Sequence, residues 1–429
     1  MTNFQIVLTG IFIFFIMVGV VLFATFGKSG SSDSVGSVTI WGTMNKDLMN
    51  QILDKLKNES DNIYDGVVYQ QIDEKNFNQE LAEAISSGKG PDIFMLPQDS
   101  IVKHENKIFA VPYDTYSMRD FKDRFIEEGE LYLTNTGILA FPFTIDPMVM
   151  YWNRDILSKN GIAIAPKSWD EFFALSQKVT EKDKDFNIFT SLVALGDYQN
   201  ISHAKEIIST LLMQTGNTIV KRTDDSFDVT LSQTAGNEIS PTEEALSFYT
   251  QFSNPVKPVY TWNRALPDST KSFLAGDLAL YFGFASELSQ LRTKNPNLNF
   301  DVTMMPQAGS GNVVTFGKMY GLAVVKASKN ISGSYSTVQA LTNDTVLTYL
   351  TELTNLPPVS RALSSTEVED PYLDVFYKSA LISKAWLDLN KDETDAIFNA
   401  MINSIISGRK QISEAIQQAE DEMISLIAR

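Results

Sequence analysis

The chain has 429 residues, of which 44% are hydrophobic and 20% charged, and its formal net charge is −17. This length allows two or three domains of about 150 residues, each able to bury a core. The acidic balance disfavours nucleic acid as a partner, because DNA and RNA are polyanions. Cysteine is absent, and His104 and His203 are the only histidines. We therefore predict no disulfide, no thiolate or multi-histidine metal centre and no cofactor.

The first element in chain order is an apolar segment. Residues 4–26 carry no charge and are rich in Ile, Phe, Val and Leu. As a helix rising about 1.5 Å per residue, they would span roughly 35 Å, enough to cross a bilayer. The segment lacks the basic start and the short apolar core of a signal peptide, which predicts an uncleaved anchor. Residues 27–37 are rich in Gly and Ser and are predicted to be a tether. Lys28 and Lys46 weakly favour a cytoplasmic globular part, so the residues alone leave the orientation open.

Strands and helices alternate at the start of the globular part. Short β-rich runs lie at residues 38–41, 67–72 and 93–96, and apolar residues at helical spacing lie between them. This order predicts a parallel sheet covered by helices. Ligands bind outside the carboxyl ends of such strands, which places a candidate site at residues 42–45 and 97–99.

Later runs continue the pattern without adding a catalytic motif. Strands are predicted at residues 137–143, 148–152, 278–283 and 321–325, and a helix with one apolar face is predicted from Gln411 onwards. No phosphate loop and no zinc-protease helix occurs in the sequence. With 52 acidic residues, carboxylate pairs are too common to indicate a glycosidase.

Aromatic residues beside turns and strand ends suggest a sugar site. A neutral sugar has apolar C–H faces and a rim of hydroxyls, which aromatic rings and a few polar side chains match. Trp262 lies in a proline-flanked loop and Trp386 among polar residues, and for both we weigh exposure to a cleft equally against burial in a core. Asp99 and Asp146 are candidate polar partners, with solvated turn residues as the alternative.

Six segments occur in the order and rough spacing of a known family. They are VTIWG at residues 38–42, GKGPDIF at 88–94, ILAFPFTIDPMVMYWNRDIL at 138–157, SFLAGDLALYFGFASEL at 272–288, NLPPVSRAL at 355–363 and SGRKQISEAIQQAEDEM at 407–423. Together they resemble the extracellular solute-binding proteins of ABC importers, family 1, which are similar to maltose- and other sugar-binding proteins. A helical anchor stands here in place of the lipid-bearing cysteine of such receptors.

The resemblance implies an α/β, two-lobed periplasmic-binding-protein-like fold of type II, with a hinge between the lobes and one transmembrane helix before them. Lobe 1 would comprise residues 38–141 and 320–364, and lobe 2 would comprise residues 142–319 and 365–429. The chain would first cross between them near residues 140–144. The globular part would lie on the extracytoplasmic side of the membrane.

The implied function is that of a membrane-tethered receptor and not of an enzyme. It would capture a small solute, a sugar or oligosaccharide, and deliver it to ABC permease subunits. We expect a monomer. A receptor of the same fold that serves a sensor or adhesion partner is the alternative, and a membrane-anchored glycoside hydrolase is a third.

The family's ligand positions are carried onto six residues, and loop context adds Trp262. The six are Thr43, Met44, Asp99, Asp146, Phe284 and Trp386. Sugar-binding relatives have a tryptophan just after PDIF, where this chain has Leu96. They have a second tryptophan beside the end of a later strand, where this chain has Phe284 and Ala285. The resemblance therefore implies a less aromatic pocket, which puts a malto-oligosaccharide ligand in doubt.

Overall fold

The structure, a computed structural model, describes residues 34–60, 62–224, 226–233, 240–309 and 312–427. None of the helices within these ranges is long and apolar enough to span a membrane. The anchor predicted at residues 4–26 lies outside the described residues.

The described part contains a large sheet, a small hairpin and covering helices. The strands are β1 (Val38–Gly42), β2 (Val67–Gln71), β3 (Ile93–Pro97), β4 (Phe141–Asn153), β5 (Glu181–Lys182), β6 (Ile188–Val193), β7 (Val220–Arg222), β8 (Phe227–Val229), β9 (Leu278–Phe284), β10 (Phe300–Met304), β11 (Thr315–Val324) and β12 (Ser383–Lys384). The helices are α1 (Lys46–Glu59), α2 (Phe77–Ser86), α3 (Ile101–His104), α4 (Met118–Arg124), α5 (Arg154–Lys159), α6 (Glu171–Val179), α7 (Ala204–Gln214), α8 (Pro241–Thr250), α9 (Ser269–Ala275), α10 (Glu287–Lys294), α11 (Ile331–Leu341), α12 (Asp344–Thr354), α13 (Arg361–Ser364), α14 (Pro371–Leu381), α15 (Lys391–Ile406) and α16 (Ile412–Ile427). Short 3-10 turns lie at Gln98–Ser100, Glu105–Lys107, Glu127–Tyr132 and Gln251–Ser253.

Lobe 1 is built on the predicted alternation of strands and helices. β1 pairs in parallel with β2 on one side and with β3 on the other. Helix α1 buries Met49, Ile52 and Leu56, which recur every three to four residues and so lie on one face. The side-chain oxygen of Asn45 caps α1 by accepting from two backbone N–H groups of its first turn.

Lobe 2 is built around β9. This strand pairs antiparallel with β4 and parallel with β6, while β10 pairs with the other side of β4. All seven residues of β9 are buried, which is typical of a strand covered by helices on both faces. β7 and β8 form a separate hairpin.

Two long strands run through both lobes. Residues 141–147 of β4 pair with β11, and residues 148–152 pair with β9. Residues 320–324 of β11 pair antiparallel with β3, and its first residues pair with β12. The prediction of two separate strands, at residues 137–143 and 148–152, is wrong. The polar and proline residues between the two apolar runs do not end the strand, because β11 supplies a pairing partner for them.

The pairing partner of β4 changes between Pro147, opposite β11, and Met148, opposite β9. This change lies a few residues beyond the crossing predicted at residues 140–144. Helix α11 packs on β1, β11 and β4, whereas α14 packs on β4 and β10. The assignment of whole segments to the two lobes stays a prediction.

Glu128 is buried beneath the two crossing strands. Its side chain is 2% exposed, and neither carboxyl oxygen has a hydrogen-bond partner among the described residues. Gly317 of β11 leaves room for the carboxyl group, because a Cβ atom at this position would overlap Glu128 Oε2. Burial raises the pKa of Glu128 to about 8. The side chain is therefore mainly protonated at neutral pH.

The end of the predicted tether is fixed to lobe 1. The Val35 N–H donates to the Ile63 carbonyl at 3.0 Å, and Asn330 Nδ2 donates to the Val35 carbonyl at 2.7 Å. The Val35 side chain packs against the core. The prediction of a tether over residues 27–37 is therefore wrong for residues 35–37, because this end of the segment finds both backbone partners and an apolar contact.

Candidate functional site

Two cavities lie side by side near the crossing of β4 and β11. We call the one lined by both lobes the shared cavity, and its volume is about 460 Å³. The other, the lobe 2 cavity, is lined by residues within 142–319, the larger segment predicted for lobe 2, and has a volume of about 500 Å³. Lys318 of β11 lines both. Each volume falls within the range of roughly 300–1,000 Å³ that small-molecule sites occupy.

Strands β3 and β11 supply one wall of the shared cavity. β3 ends just before Gln98 and Asp99, which line the cavity at the carboxyl end of a parallel strand. Phe316, Lys318 and Tyr320 alternate along β11, and because side chains two residues apart share a face, all three reach the cavity.

Lobe 2 supplies the opposite wall with charged residues. Lys205 lies in the first turn of α7, and its Nζ is 2.6 Å from Asp388 Oδ2. Asp388 is buried and also accepts from Thr394 Oγ1 at 2.7 Å. Burial raises the pKa of Asp388, and the charge of Lys205 opposes that rise. Both partners of this ion pair lie in segments predicted for lobe 2.

Trp386 is the main apolar part of the lobe 2 wall. Its ring stacks on Phe398 with a centroid distance of 6.0 Å, and Lys205 Nζ lies 5.2 Å from its centroid. The indole N–H donates to Ser209 Oγ at 3.0 Å. These contacts leave Trp386 4% exposed and fix the orientation of its ring.

Ion pairs join segments that are predicted for different lobes. Inside the shared cavity, Lys391 Nζ lies 2.9 Å from Asp99 Oδ2 and 3.9 Å from Glu74 Oε1. Away from it, Arg222 of β7 donates from Nη1 to both carboxylate oxygens of Glu105, at 2.8 and 2.9 Å. Both sets of contacts hold these segments together in the described conformation.

A hydrogen-bonded network lines the lobe 2 cavity. Glu287 Oε1 lies 2.7 Å from His203 Nε2, and Glu287 Oε2 accepts from the Tyr281 hydroxyl at 2.6 Å. Burial opposes ionisation of Glu287, but the hydrogen bonds from His203 and Tyr281 outweigh it and lower the pKa. His203 has a φ of +61°, in the left-handed region that non-glycine residues seldom adopt. Strain of this kind is common where a binding site must hold a side chain in place.

Phe284 and Asp146 lie where the lobe 2 cavity meets Lys318. Lys318 Nζ is 3.7 Å from the centroid of the Phe284 ring, and His203 meets that ring edge-on at 4.9 Å. Asp146 Oδ1 accepts from the Ser286 N–H at 3.0 Å. Burial raises the pKa of Asp146 to about 6, against the opposing effects of Ser286 and Lys318.

The sequence from residue 51 to residue 372, three quarters of the chain, matches the family of bacterial extracellular solute-binding proteins. This chain belongs to that family. Its members bind solutes outside the cytoplasm and are not enzymes.

A curated relative of this solute-binding protein is a binding protein of Brucella abortus (strain 2308). The two are 24% identical over 269 residues, which span 59% of this chain and 58% of the relative. The match therefore covers little more than half of the relative's length.

Solved structures match this solute-binding protein over most of its length. The cyclic alpha-maltosyl-1,6-maltose binding protein from Arthrobacter globiformis has a TM-score of 0.75 and 13% identity, over 91% of this chain and 98% of that one. A cyclo/maltodextrin-binding protein complexed with maltotetraose has a TM-score of 0.73 and 13% identity, over 91% and 96% of the two chains. At this identity the likeness shows the fold alone, and it confirms the predicted two-lobed α/β architecture.

The structure brings four of the seven predicted ligand residues to the two cavities. Asp99 and Trp386 line the shared cavity. Asp146 and Phe284 line the lobe 2 cavity. Their role in ligand binding stays a prediction.

Thr43 and Met44 lie in the loop after β1, partly buried. Neither lines either cavity formed by the described residues. The Thr43 side chain hydrogen-bonds Tyr320, which does line the shared cavity. The Met44 carbonyl accepts from the Tyr69 hydroxyl at 2.8 Å. In this conformation Thr43 contacts the wall of the shared cavity through Tyr320, and Met44 links the loop to β2.

Trp262 belongs to the core of lobe 2, so the interpretation that it is exposed to a cleft is wrong. Its side chain is 1% exposed, and its indole N–H donates to Asn200 Oδ1 at 3.1 Å. The polar, proline-flanked loop around it suggested exposure. Several residues of the loop are exposed, while the indole turns inward to a partly buried amide partner.

Sequence reasoning missed several residues that shape the cavities. They are Lys205, Lys318, Lys391, His203 and Glu287. One usable signal was present, since Asn390 followed by Asp392 and Glu393 is typical of a helix start. It would have predicted α15 and placed Lys391 at its first position.

Proposed function

We propose that this protein captures a sugar or oligosaccharide between its lobes and delivers it to the permease subunits of an ABC importer. The observation that carries the proposal is the pair of adjoining cavities at the strand ends, lined by aromatic rings and by hydrogen-bonding side chains. Such surfaces suit the apolar faces and the hydroxyl rim of a sugar. The carbohydrate ligands named for the two matched structures support the same solute class.

A hinge between the lobes would couple binding to closure. The change of partner at residues 145–148 of β4 supports a hinge there, and Lys318 and its neighbours on β11 would form the second crossing. A solute that contacts both lobes favours the closed conformation. The lobes would comprise residues 38–141 with 320–364, and residues 142–319 with 365–429.

The membrane connection is a further part of the proposal. Family membership places the globular part outside the cytoplasm, against the weak charge bias of Lys28 and Lys46. Residues 4–26 would then anchor it in the membrane as a monomer beside its permease. The anchored protein should stay with membranes through a carbonate wash, and protease added outside the cell should release the globular part. Protection of the globular part in intact cells would contradict the topology.

The central experiment is a titration of the full-length protein in detergent with mono- and oligosaccharides. A ligand present at 100 times its Kd should raise the free energy of unfolding by about 2.7 kcal/mol. The saccharide should be recovered unchanged, because a receptor needs no acid or base poised for catalysis. Cleaved saccharide would instead support a hydrolase. Absence of any thermal shift across the panel would remove sugars as the solute class.

Transport itself needs a separate test. Uptake of the bound saccharide into cells should depend on the protein and on a permease encoded beside it. Binding without uptake would favour the alternative of a receptor that serves a sensor or an adhesion partner.

A further inference from the structure

Lys318 stands between the two cavities and contacts both. It lies on β11 directly opposite Asp146 of β4, where the two long strands cross. Its ammonium group lies over the Phe284 ring of the lobe 2 cavity, while Glu206 of the shared cavity is 3.9 Å away. The Lys318 side chain therefore lies where a cavity of about 460 Å³ adjoins one of about 500 Å³.

Lys318 also differs from the other two lysines that line the shared cavity. Lys205 Nζ and Lys391 Nζ lie 2.6 and 2.9 Å from their carboxylate partners. Among the hydrogen bonds of the described residues, none is donated by Lys318 Nζ, and its nearest carboxylate oxygen is 3.9 Å away. An ammonium group has three donors. Lys318 can thus donate to a bound solute without giving up a close ion pair.

The position of this ammonium group decides whether the Phe284 ring is available. Phe284 is 1% exposed, with the ammonium group of Lys318 over its ring and His203 at its edge. A solute confined to the shared cavity can leave this arrangement as it is. A solute that extends into both cavities must displace the ammonium group from the ring, and its own apolar face can then replace it.

We propose that Lys318 is a specificity-determining residue that divides the cleft and selects saccharides of two or more units over monosaccharides. A longer saccharide displaces the Lys318 ammonium from Phe284, and the ammonium then donates to an oxygen near the middle of the solute. This inference rests on the proposed function, because it names the length of the solute that the same site would take.

The test is calorimetric titration of the full-length protein and its Lys318→Met variant in detergent. The probes are the glucose, mannose and xylose series, each from the monosaccharide to the tetrasaccharide. We expect wild type to bind a longer member of one series at least tenfold more tightly than its monosaccharide. Methionine keeps the apolar stem and removes the donors, so K318M should lose about tenfold for the longer member and less than twofold for the monosaccharide. K318R, which keeps a charged donor, should retain the length preference.

A matched control is Lys159→Met. Lys159 is exposed, pairs with Glu181 within lobe 2 and lines neither cavity, so this variant should bind every probe as wild type does. Thermal unfolding without ligand should show that K318M and K159M are folded.

The outcomes separate the inference from the proposed function. If K318M weakens all lengths equally, or none, Lys318 does not select length, although the protein still binds saccharides. If wild type prefers a monosaccharide, the inference is likewise wrong and the proposed function stands. If wild type binds no member of the three series, both fail.

Discussion

The shared cavity and the lobe 2 cavity differ in what holds their walls together. In the shared cavity, Lys391 and Asp99 come from opposite walls, and their side chains are 57% and 21% exposed. In the lobe 2 cavity, His203, Glu287 and Tyr281 belong to one lobe and form a largely buried network. Exposed ion pairs contribute about 0–1 kcal/mol, whereas leaving a buried hydrogen-bonding group without its partner costs about 1–3 kcal/mol.

This difference indicates which cavity is formed before a solute binds. Separation of the lobes breaks the Lys391 contact at little cost, but it leaves the network around Glu287 intact because all its members move together. We therefore expect the lobe 2 cavity to be formed before a solute arrives. The shared cavity would be completed when lobe 1 closes on it.

The largest expected effect concerns the support of the lobe 2 cavity. Trp262 binds Asn200, whose amide in turn donates to the carbonyls of Asn263 and Leu266. Trp262→Ala should lower the free energy of unfolding by about 3–5 kcal/mol, because it removes a fully buried ring. Chemical denaturation measures this. Trp152→Ala is the control, since Trp152 is only partly buried and should cost less. A weaker ligand affinity with near-normal stability would contradict the assignment of Trp262 to the core.

The second prediction tests the crossing strands on which the shared cavity rests. Glu128 has a pKa of about 8 in the folded protein, against an ordinary value of 4.5. Between these pH values the folded state holds a proton that the unfolded state has lost, so this group makes stability fall as pH rises. Above about pH 8 both states are ionised and its contribution is constant.

Glu128→Gln should remove that pH dependence. The variant should match wild type near pH 4 and exceed its free energy of unfolding by about 2–4 kcal/mol at pH 8, since each unit of pKa corresponds to about 1.4 kcal/mol. Denaturation series from pH 4 to 9 measure the difference. Glu130→Gln is the control, because Glu130 is only half-buried and is already paired with Lys122. Parallel pH profiles for wild type and E128Q would show that Glu128 is not buried as described.

The third prediction concerns the lobe 2 network. Glu287→Gln keeps the shape of the side chain but leaves the His203 and Tyr281 groups poorly paired. We expect a loss of about 2 kcal/mol in the free energy of unfolding. The distance between the lobes should not change, because both ends of each contact lie in lobe 2. Glu206→Gln is the control, since its 3.9 Å contact with Lys318 should contribute little. A lobe movement in E287Q would contradict the separation of the two cavities.

The sequence predicts the first strands and the first helix of lobe 1, because their signals are local. β1, α1 and β2 each follow from apolar residues at the period of a strand or a helix, a local signal. The long strand β4 could not be predicted in this way. Its middle residues are held by β11, some 170 positions later, so the signal that continues the strand is not local.

The residues of the candidate site show the same difference between local and non-local signals. Asp99 could be predicted because it follows a buried parallel strand, and the edge of the sheet fixes its place. Trp262 and Trp386 looked alike in sequence, each a tryptophan among polar residues, and both are buried. Only packing with distant elements places a cavity beside Trp386 and not beside Trp262. Lys318 and Lys391 gave no signal, because an isolated lysine in a sequence usually means a solvated surface.

The smallest expected effect concerns the ion pair that crosses the shared cavity. Lys391→Met removes the ion pair with Asp99 across the cavity, at a cost of about 1 kcal/mol or less because the lysine is largely exposed. Without it, the lobes should separate more often in the absence of a solute. Ligand affinity should fall by less than about fivefold, since closure then starts from a more open population.

Because the natural chain has no cysteine, labels can be placed at two chosen sites to follow this opening. Asn58→Cys on α1 and Ser413→Cys on α16 are both exposed and lie in different lobes. Lys205→Met is the matched control: Lys205 lines the same cavity, but its partner Asp388 lies in the same lobe. K391M should shift the distance distribution and leave stability nearly unchanged, whereas K205M should lower stability, since Asp388 is left unpaired, without moving the lobes. If K205M opened the lobes and K391M did not, the Lys205–Asp388 pair, and not the Lys391–Asp99 pair, would hold the shared cavity closed. The lobe 2 side of the site would then not be formed before the solute arrives, and the order of binding proposed above would be reversed.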